Sequence, residues 1–223
     1  MNFYEEKIFP AIIEKQMGKD NYKQERNTTL SNVTGKTLEI GFGTGLNLPH
    51  YPEHVKKITA LDINPGMNSK AQERMQHAGI EVEYHCLNSE ALPFETGSFD
   101  TVVSTWTLCS IADLDSALAE IHRVLKPTGE FLFLEHGLAE GATMKKLQNL
   151  FTPLQKKLAC GCHLNRAIDQ SIQESGFNIK NLERFWFKGA TSPLASPMYR
   201  GVAKPIPMRA VYDDQNNKGL PYR

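Results

Sequence analysis

The stretch 36–47, KTLEIGFGTGLN, constrains the fold more than any other part of this chain of 223 residues. Residues 36–40 read as a short strand, and it ends in glycines at 41, 43 and 45. Glycine lets a ligand approach the backbone without meeting a Cβ, and a strand-end turn presents N–H groups to it. The spacing is Gly-x-Gly-x-Gly. It lacks the third, helix-packing glycine of the nicotinamide pattern and the Gly-Lys-Ser/Thr of a triphosphate-binding loop. Alone, it also fits a tight turn that holds nothing.

Beyond this turn, strand-like runs fall at 58–62, 82–87, 99–104 and 130–135, and helical spacing at 67–77 and 113–125. The near-continuous apolar strands predict a mostly parallel sheet covered on both faces, a doubly wound α/β fold. Two more strands are expected near 181–187 and 198–203. Before the glycine turn, Tyr4, Ile8, Phe9, Ile12, Ile13 and Met17 repeat at helical spacing, with a bend expected at Pro10. The polar residues 19–32 read as a connection or a short helix. The expected division is an N-terminal helical cap over 1–34, an α/β domain over 35–207, and a loose polar tail over 208–223.

Composition acts by exclusion. Lys+Arg and Asp+Glu both number 25, so no excess of positive charge argues for nucleic acid. No run of 18 apolar residues predicts a membrane span, and the first residues lack the pattern of a signal peptide. Four cysteines among seven methionines make no secreted disulfide framework, so a reduced, cytoplasmic protein is expected.

Two carboxylates narrow the ligand. Asp62 ends the second strand, where a carboxylate accepts the hydroxyls of a ribose. Glu39, just before the glycines, adds negative charge that repels a pyrophosphate but not a sulfonium or an ammonium. A nucleoside with a positive tail fits both, and S-adenosylmethionine is that molecule.

Over roughly 37–136 the chain resembles the class I S-adenosylmethionine-dependent methyltransferases. Glu39-Ile-Gly-Phe-Gly-Thr-Gly45 is similar to their first motif, and Asp62 to their ribose-binding acid. Ile63 and Met67 resemble their apolar contacts to adenine. Asn88-Ser-Glu-Ala-Leu-Pro-Phe94 resembles the loop at the adenine edge, with Asn88 where many members have Asp. Val124-Leu-Lys-Pro-Thr-Gly129 resembles the turn before the fifth strand, with Thr128 in place of a frequent Gly. GLNLPHYP (45–52), TWTLCSI (105–111), EHG (135–137), GCHLNR (161–166) and MYRGVAK (198–204) are similar to the branch holding alkyl thiol and phospholipid methyltransferases. The resemblance implies a Rossmann-like sheet of seven strands with an antiparallel last strand and an N-terminal helical lid. It implies that Glu39, Gly41, Phe42, Gly43, Gly45, Asp62, Ile63, Met67, Asn88, Ser89, Glu90, Thr105 and Leu108 hold the cofactor.

The acceptor is expected to be a small-molecule or lipid-like nucleophile, with a thiol favoured over a phospholipid amine; the alternative outside enzymes is a protein that binds S-adenosylmethionine and turns nothing over. Its site is assigned to Tyr4, Trp106, Cys109 and His163, with Trp106 equally readable as core. Glu135 and His136 close the fifth strand on that side. His136 titrates near neutrality and is the expected base, unless it only bonds loop backbone. Much of the catalysis is expected from alignment. Cys160-Gly-Cys-His163 has soft donors, but thiols one residue apart rarely share a zinc, and no metal is expected. Residues 143–159 carry Met144, Leu147, Leu150, Phe151, Leu154 and Leu158 at helical spacing, flanked by lysines. This helix is expected to pack its apolar face on the protein; peripheral contact with an anionic membrane is the other reading.

Overall fold

Alternation of strand and helix produces the expected sheet. The computed structural model describes residues 3–207, apart from the side chains at 68 and 69; the tail expected over 208–223 lies outside the described residues. The chain opens with a π-helical turn, Tyr4–Ile8, that runs into α1 (Phe9–Met17). The change of pitch comes just before Pro10, whose missing N–H is tolerated in the first turn of a helix. The polar segment that follows is a helix, α2 (Asp20–Leu30), with Tyr22, Arg26, Thr29 and Leu30 buried on one face. An Arg and a Thr on the buried face hide that helix from a search for apolar spacing.

Next come β1 (Thr37–Ile40), β2 (Lys57–Leu61), α3 (Pro65–His77), β3 (Glu81–His85), β4 (Phe99–Thr105), α4 (Leu114–Val124) and β5 (Leu125–His136). The chain finishes with α5 (Ala142–Leu158), α6 (Ile168–Glu174), β6 (Phe177–Trp186) and β7 (Pro197–Pro205). The strand order is β3-β2-β1-β4-β5-β7-β6. β7 runs antiparallel to both of its neighbours, and the other pairings are parallel. β5 begins at Leu125 rather than at residue 130, because Leu125 pairs with Phe99 before the register jumps to Thr101 and Glu130. The Pro-Thr-Gly turn is absorbed into that irregularity.

Both faces of the sheet are covered. On one, Leu38, Val102, Phe131 and Phe133 pack with Leu118 and Ile121 of α4 and with Ile168 and Ile172 of α6. On the other, Ile58, Ala60, Val103 and Leu132 meet Leu30 of α2 and Ala71 of α3. α4 shows how the pattern becomes structure. Asp113 caps it by accepting from the Ser116 N–H at 3.1 Å, and Leu114, Ala117, Leu118, Ile121 and Val124 are buried. Each large side chain buried there contributes about 1.5–3 kcal/mol.

α5 reverses the expectation placed on it. Its buried residues are Gln148 and Thr152, while Leu147, Leu150, Phe151, Leu154 and Leu158 are exposed, Leu150 by 70%. The reason is a polar need inside the fold. Gln148 accepts from the Ala139 N–H at 2.8 Å and donates to the carbonyls of Gly137 and Leu194, both at 2.9 Å. Thr152 donates to the Gln148 carbonyl at 2.7 Å. The side chain that satisfies three backbone groups takes the inside, and the apolar stripe faces out.

Gln148→Ala leaves buried backbone groups without partners and is expected to destabilise the fold by about 3 kcal/mol. Leu150→Ala, on the exposed stripe, is expected to stay within about 0.5 kcal/mol of the parent. Urea unfolding of both variants checks the orientation of α5; the reverse ranking would contradict it.

Candidate functional site

From β1 the chain moves outward to β2 and β3, then crosses to β4 on the opposite side of β1. Open α/β sheets bind ligands in the crevice outside the strand ends where the order reverses in this way. A cavity of about 600 Å³ lies there. It is walled by the glycine turn after β1, the ends of β2 and β4, His136 at the end of β5, the 160–162 loop and α1.

The glycine turn is held in shape by the end of β2. Asp62 accepts from the Gly43 N–H through one carboxylate oxygen at 2.8 Å and from the Asn64 N–H through the other at 2.8 Å. Burial raises the Asp62 pKa, and these two N–H groups pull it back in part. Gly41 has φ +72°, a left-handed conformation that favours glycine, and a Cβ there would collide with the Thr107 side chain. Gly43 has φ +57°, and a Cβ there would meet nothing closer than the Gly41 carbonyl at 3.9 Å. Ile63, Met67, Asn88, Ser89 and Glu90 continue this wall. Asn88 is turned toward Glu90, donating to its carboxylate at 2.9 Å.

Glu39 is 1% exposed. One carboxylate oxygen accepts from Tyr51 Oη at 2.6 Å and the other from Asn47 Nδ2 at 2.8 Å. Asn47 also bonds Thr105 Oγ1 at 3.0 Å and accepts from Arg26 Nε at 3.0 Å. Burial raises the Glu39 pKa to about 7, against the pull of Tyr51, Asn47 and the Arg26 charge. Burial brings Arg26 down to about 10. The buried charges thus reach one another through Asn47. Arg26, Asn47 and Tyr51 were not assigned to the site by sequence reasoning. Asn47 and Tyr51 lie in the GLNLPHYP stretch, whereas nothing in the polar helix sequence marked Arg26.

The other end of the cavity is built from the segment after β4. Trp106 has φ +51°, uncommon for a bulky residue and a cost of about 1–3 kcal/mol. Its ring lies 5.2 Å from Tyr22 and 4.9 Å from the Arg26 guanidinium. It lines the cavity and packs against the interior at once. Cys109, His136, Cys160 and Cys162 complete this end, with Phe187 and Gln155. His136 Nε2 is 3.1 Å from Cys162 Sγ. Burial lowers the His136 pKa, and the Cys162 thiol and the Glu135 carboxylate raise it by more, leaving it above the usual imidazole value. Cys109 and burial together push the Cys162 thiol up. Over the top, Tyr4, Phe9, Ile12 and Ile13 cover the cavity. Tyr4 Oη donates to the Leu158 carbonyl at 2.7 Å, and Asn64 Nδ2 to the Glu5 carbonyl at 3.0 Å.

Most of the residues singled out in the sequence line this one cavity, from Tyr4 and Glu39 to Cys109 and His136. Four do not. Leu108 is fully buried in the core beside α4, because the 106–111 turn directs it into the sheet packing. Gly45 donates its N–H to the Phe42 carbonyl at 3.0 Å and shapes the turn from behind. Glu135 is fully buried, accepting from Ser104 Oγ at 2.8 Å and the Thr107 N–H at 3.0 Å. It positions the 106–111 turn rather than facing an acceptor. His163 bonds the Cys109 carbonyl through its backbone N–H at 2.8 Å and also contacts it through its ring, outside the cavity wall.

Glu39 gives stability a pH signature. Its ordinary value is 4.5 and its folded value about 7, so between them the folded state binds a proton that the unfolded chain has lost. As pH rises through that window this group lowers folding stability, by on the order of 3 kcal/mol for the donor-free protein. Glu39→Gln is expected to remove that slope, whatever its constant offset. Urea unfolding from pH 5 to 8 checks it, and parallel curves for parent and variant would contradict the assignment.

Comparison with known proteins agrees with this geometry. A family described as "Methyltransferase domain" matches residues 38–133. Thiol S-methyltransferase TMT1A of Homo sapiens is 30% identical over 184 residues, which cover 78% of this chain and 74% of that protein. Phosphatidylethanolamine N-methyltransferase of Cereibacter sphaeroides is 27% identical over 164 residues, 72% of this chain and 79% of that one. A SAM-dependent methyltransferase of Methanosarcina mazei has the same fold, with a TM-score of 0.61 at 19% identity over 79% of this chain and 95% of that one. The chain belongs to the class I S-adenosylmethionine-dependent methyltransferases.

Proposed function

We propose that this methyltransferase acts on a thiol carried by a small or lipid-like molecule. The observation that carries this reading is where the cavity's charges lie. Its lining carboxylates, Glu39, Asp62 and Glu90, are all on the side of the glycine turn, and its sulfur and imidazole groups are at the other end. An amine acceptor arrives as a cation and gains from a nearby carboxylate. A thiol is neutral and soft, and suits a wall of Cys109, Cys162, His136, Trp106 and Phe187. The likeness to thiol S-methyltransferase TMT1A supports the same choice.

S-adenosylmethionine, when bound, supplies an electrophilic methyl group on a positively charged sulfur. The residues at the glycine end fit it. The space beside Gly43 admits a close approach to the backbone, and the Asp62 carboxylate faces the cavity with lone pairs to spare for ribose hydroxyls. Ile63 and Met67 offer apolar flanks to the adenine. Glu39, held by Tyr51 and Asn47, gives this end its negative potential. Tyr4, Phe9 and Ile12 give this end an apolar outer wall. In-line alignment of acceptor and methyl carries most of the rate. A thiol reacts as its thiolate, and the His136 imidazole is the group in the wall at that end that can accept its proton.

The outward stripe of α5 favours an acceptor drawn from a membrane surface. Leu150, Phe151 and Leu154 are exposed beside the cavity residues Gln155 and Leu158, with lysines at 145, 146, 156 and 157 to meet anionic headgroups. No helix among the described residues is long and apolar enough to cross a membrane.

Asp62→Ala is expected to weaken donor binding by about 1–3 kcal/mol, roughly 5- to 150-fold, because the ribose hydroxyls and the Gly43 N–H lose their acceptor. Calorimetric titration checks it, and an unchanged Kd removes Asp62 from the site. S-adenosylhomocysteine release is expected with an alkyl thiol and not with phosphatidylethanolamine vesicles or a quinol. A long-chain thiol is expected to react faster in anionic than in neutral vesicles. Release with the amine alone contradicts the thiol reading, and equal rates in the two vesicles contradict the surface reading.

A further inference from the structure

Three groups at the acceptor end come from distant parts of the chain and meet in one place. Cys109 follows β4, His136 ends β5, and Cys162 lies in the loop after α5. Their ligand atoms all lie within 4.8 Å of one another. Each residue is buried, at 2%, 6% and 7% exposure respectively. His136 Nδ1 is itself buried without a hydrogen-bond partner among the described residues. The nitrogen that faces the thiols is Nε2, 3.1 Å from Cys162 Sγ, and that contact is the one a shared metal would replace.

We propose that Cys109, His136 and Cys162 hold a zinc ion whose fourth position opens into the cavity and takes the sulfur of the acceptor. This rests on the thiol reading above. Tetrahedral zinc with Zn–S near 2.3 Å and Zn–N near 2.0 Å sets neighbouring ligand atoms about 3.5 Å apart. The 4.8 Å spread is therefore closed by small side-chain rotations. Two thiolates and a neutral imidazole balance a divalent cation, so the loaded site carries no net charge into an apolar wall. Three protein ligands with a fourth position open is the arrangement of catalytic rather than structural zinc.

The surroundings hold the ligands in place. The His163 N–H bonds the Cys109 carbonyl at 2.8 Å, tying the two cysteine loops together. Gln155 Nε2 points at Cys162 Sγ from 3.7 Å. Cys160, which sequence spacing pairs with Cys162, is not part of the cluster. The local Cys-Gly-Cys-His motif thus supplies one of the three ligands, Cys162.

The chemistry closes without any change of oxidation state. The acceptor thiol binds the zinc and gives its proton to water, because the cation favours the thiolate. The thiolate sulfur forms the new bond to the methyl carbon. The bond from that carbon to the donor sulfur breaks, and its electron pair stays on the donor sulfur, leaving S-adenosylhomocysteine. The methylated product is a neutral thioether, a poorer ligand than a thiolate, and it leaves. In this arrangement His136 is a ligand instead of the base.

The test uses the full chain, stripped with a chelator and titrated with zinc and with cobalt(II), with neither donor nor acceptor present. One metal per chain is expected, with a thiolate-to-cobalt charge-transfer band. Cys109→Ser and Cys162→Ser are expected to lose the band and stoichiometric zinc, with circular dichroism confirming that they fold, while Cys160→Ser keeps both. An alkyl thiol is expected to alter the cobalt spectrum of the parent, and its methyl thioether to leave it unchanged. Absence of stoichiometric metal in the parent overturns the proposal, as does equal loss in Cys160→Ser. A cobalt spectrum indifferent to the thiol overturns the open position. Full-rate thiol methylation by metal-free protein overturns the zinc while the thiol reading stands. A thiol-responsive metal site with no thiol methylation leaves the zinc and overturns the thiol reading.

Discussion

The hydrogen bond from the Gly43 N–H to the Asp62 carboxylate ties the site together. It joins the loop after β1 to the end of β2, and so fixes two neighbouring strand ends as one rigid rim. The left-handed glycines let the loop adopt that path, and the collision a Cβ at Gly41 would make with Thr107 links the same loop to the end of β4. Three strand ends are thereby set relative to one another before any ligand is considered. Asp62 is placed at the entrance to the crevice as a consequence of the same contact that holds the turn.

The electrical layout of the cavity follows from what each end buries. At the glycine end Glu39 keeps a carboxylate inside only because Tyr51, Asn47 and Arg26 answer it. Asn47 is the hub, touching Glu39, Thr105 and Arg26. At the other end the lining has thiols and an imidazole, and behind it Glu135 is buried, one carboxylate oxygen accepting from Ser104 and the Thr107 N–H. Carboxylates at one end and thiols and an imidazole at the other suit a cationic donor facing a soft nucleophile. α5 adds a polar anchor inward and an apolar, lysine-flanked stripe outward at the cavity's edge.

The glycine end of the cavity was legible in the sequence because its residues are local. Glycines at 41, 43 and 45 and the acid at 62 sit at strand ends that period and spacing reveal. Leu108 was misplaced because spacing after a strand does not tell which way a turn directs a side chain. Glu135 was read as facing the acceptor, yet two hydrogen bonds draw it into the sheet. α5 shows the limit of apolar periodicity. The pattern at 147, 150, 151, 154 and 158 correctly gives a helix, but which face turns inward is decided by Gln148 and three backbone groups far away in sequence. The meeting of Cys109, His136 and Cys162 was invisible for the same reason: topology makes it, and the adjacent Cys160 drew attention to the wrong pair.

The central claim is that donor and acceptor share a single cavity in which the methyl group passes directly between them. Its most direct test is the affinity of a bisubstrate analogue, an S-adenosylhomocysteine whose sulfur carries a short alkyl chain ending in a thioether. Calorimetry against S-adenosylhomocysteine alone is expected to give at least about a tenfold lower Kd, since two bound pieces joined by a fitting linker bind as one. An analogue that binds no more tightly than S-adenosylhomocysteine would contradict a continuous site.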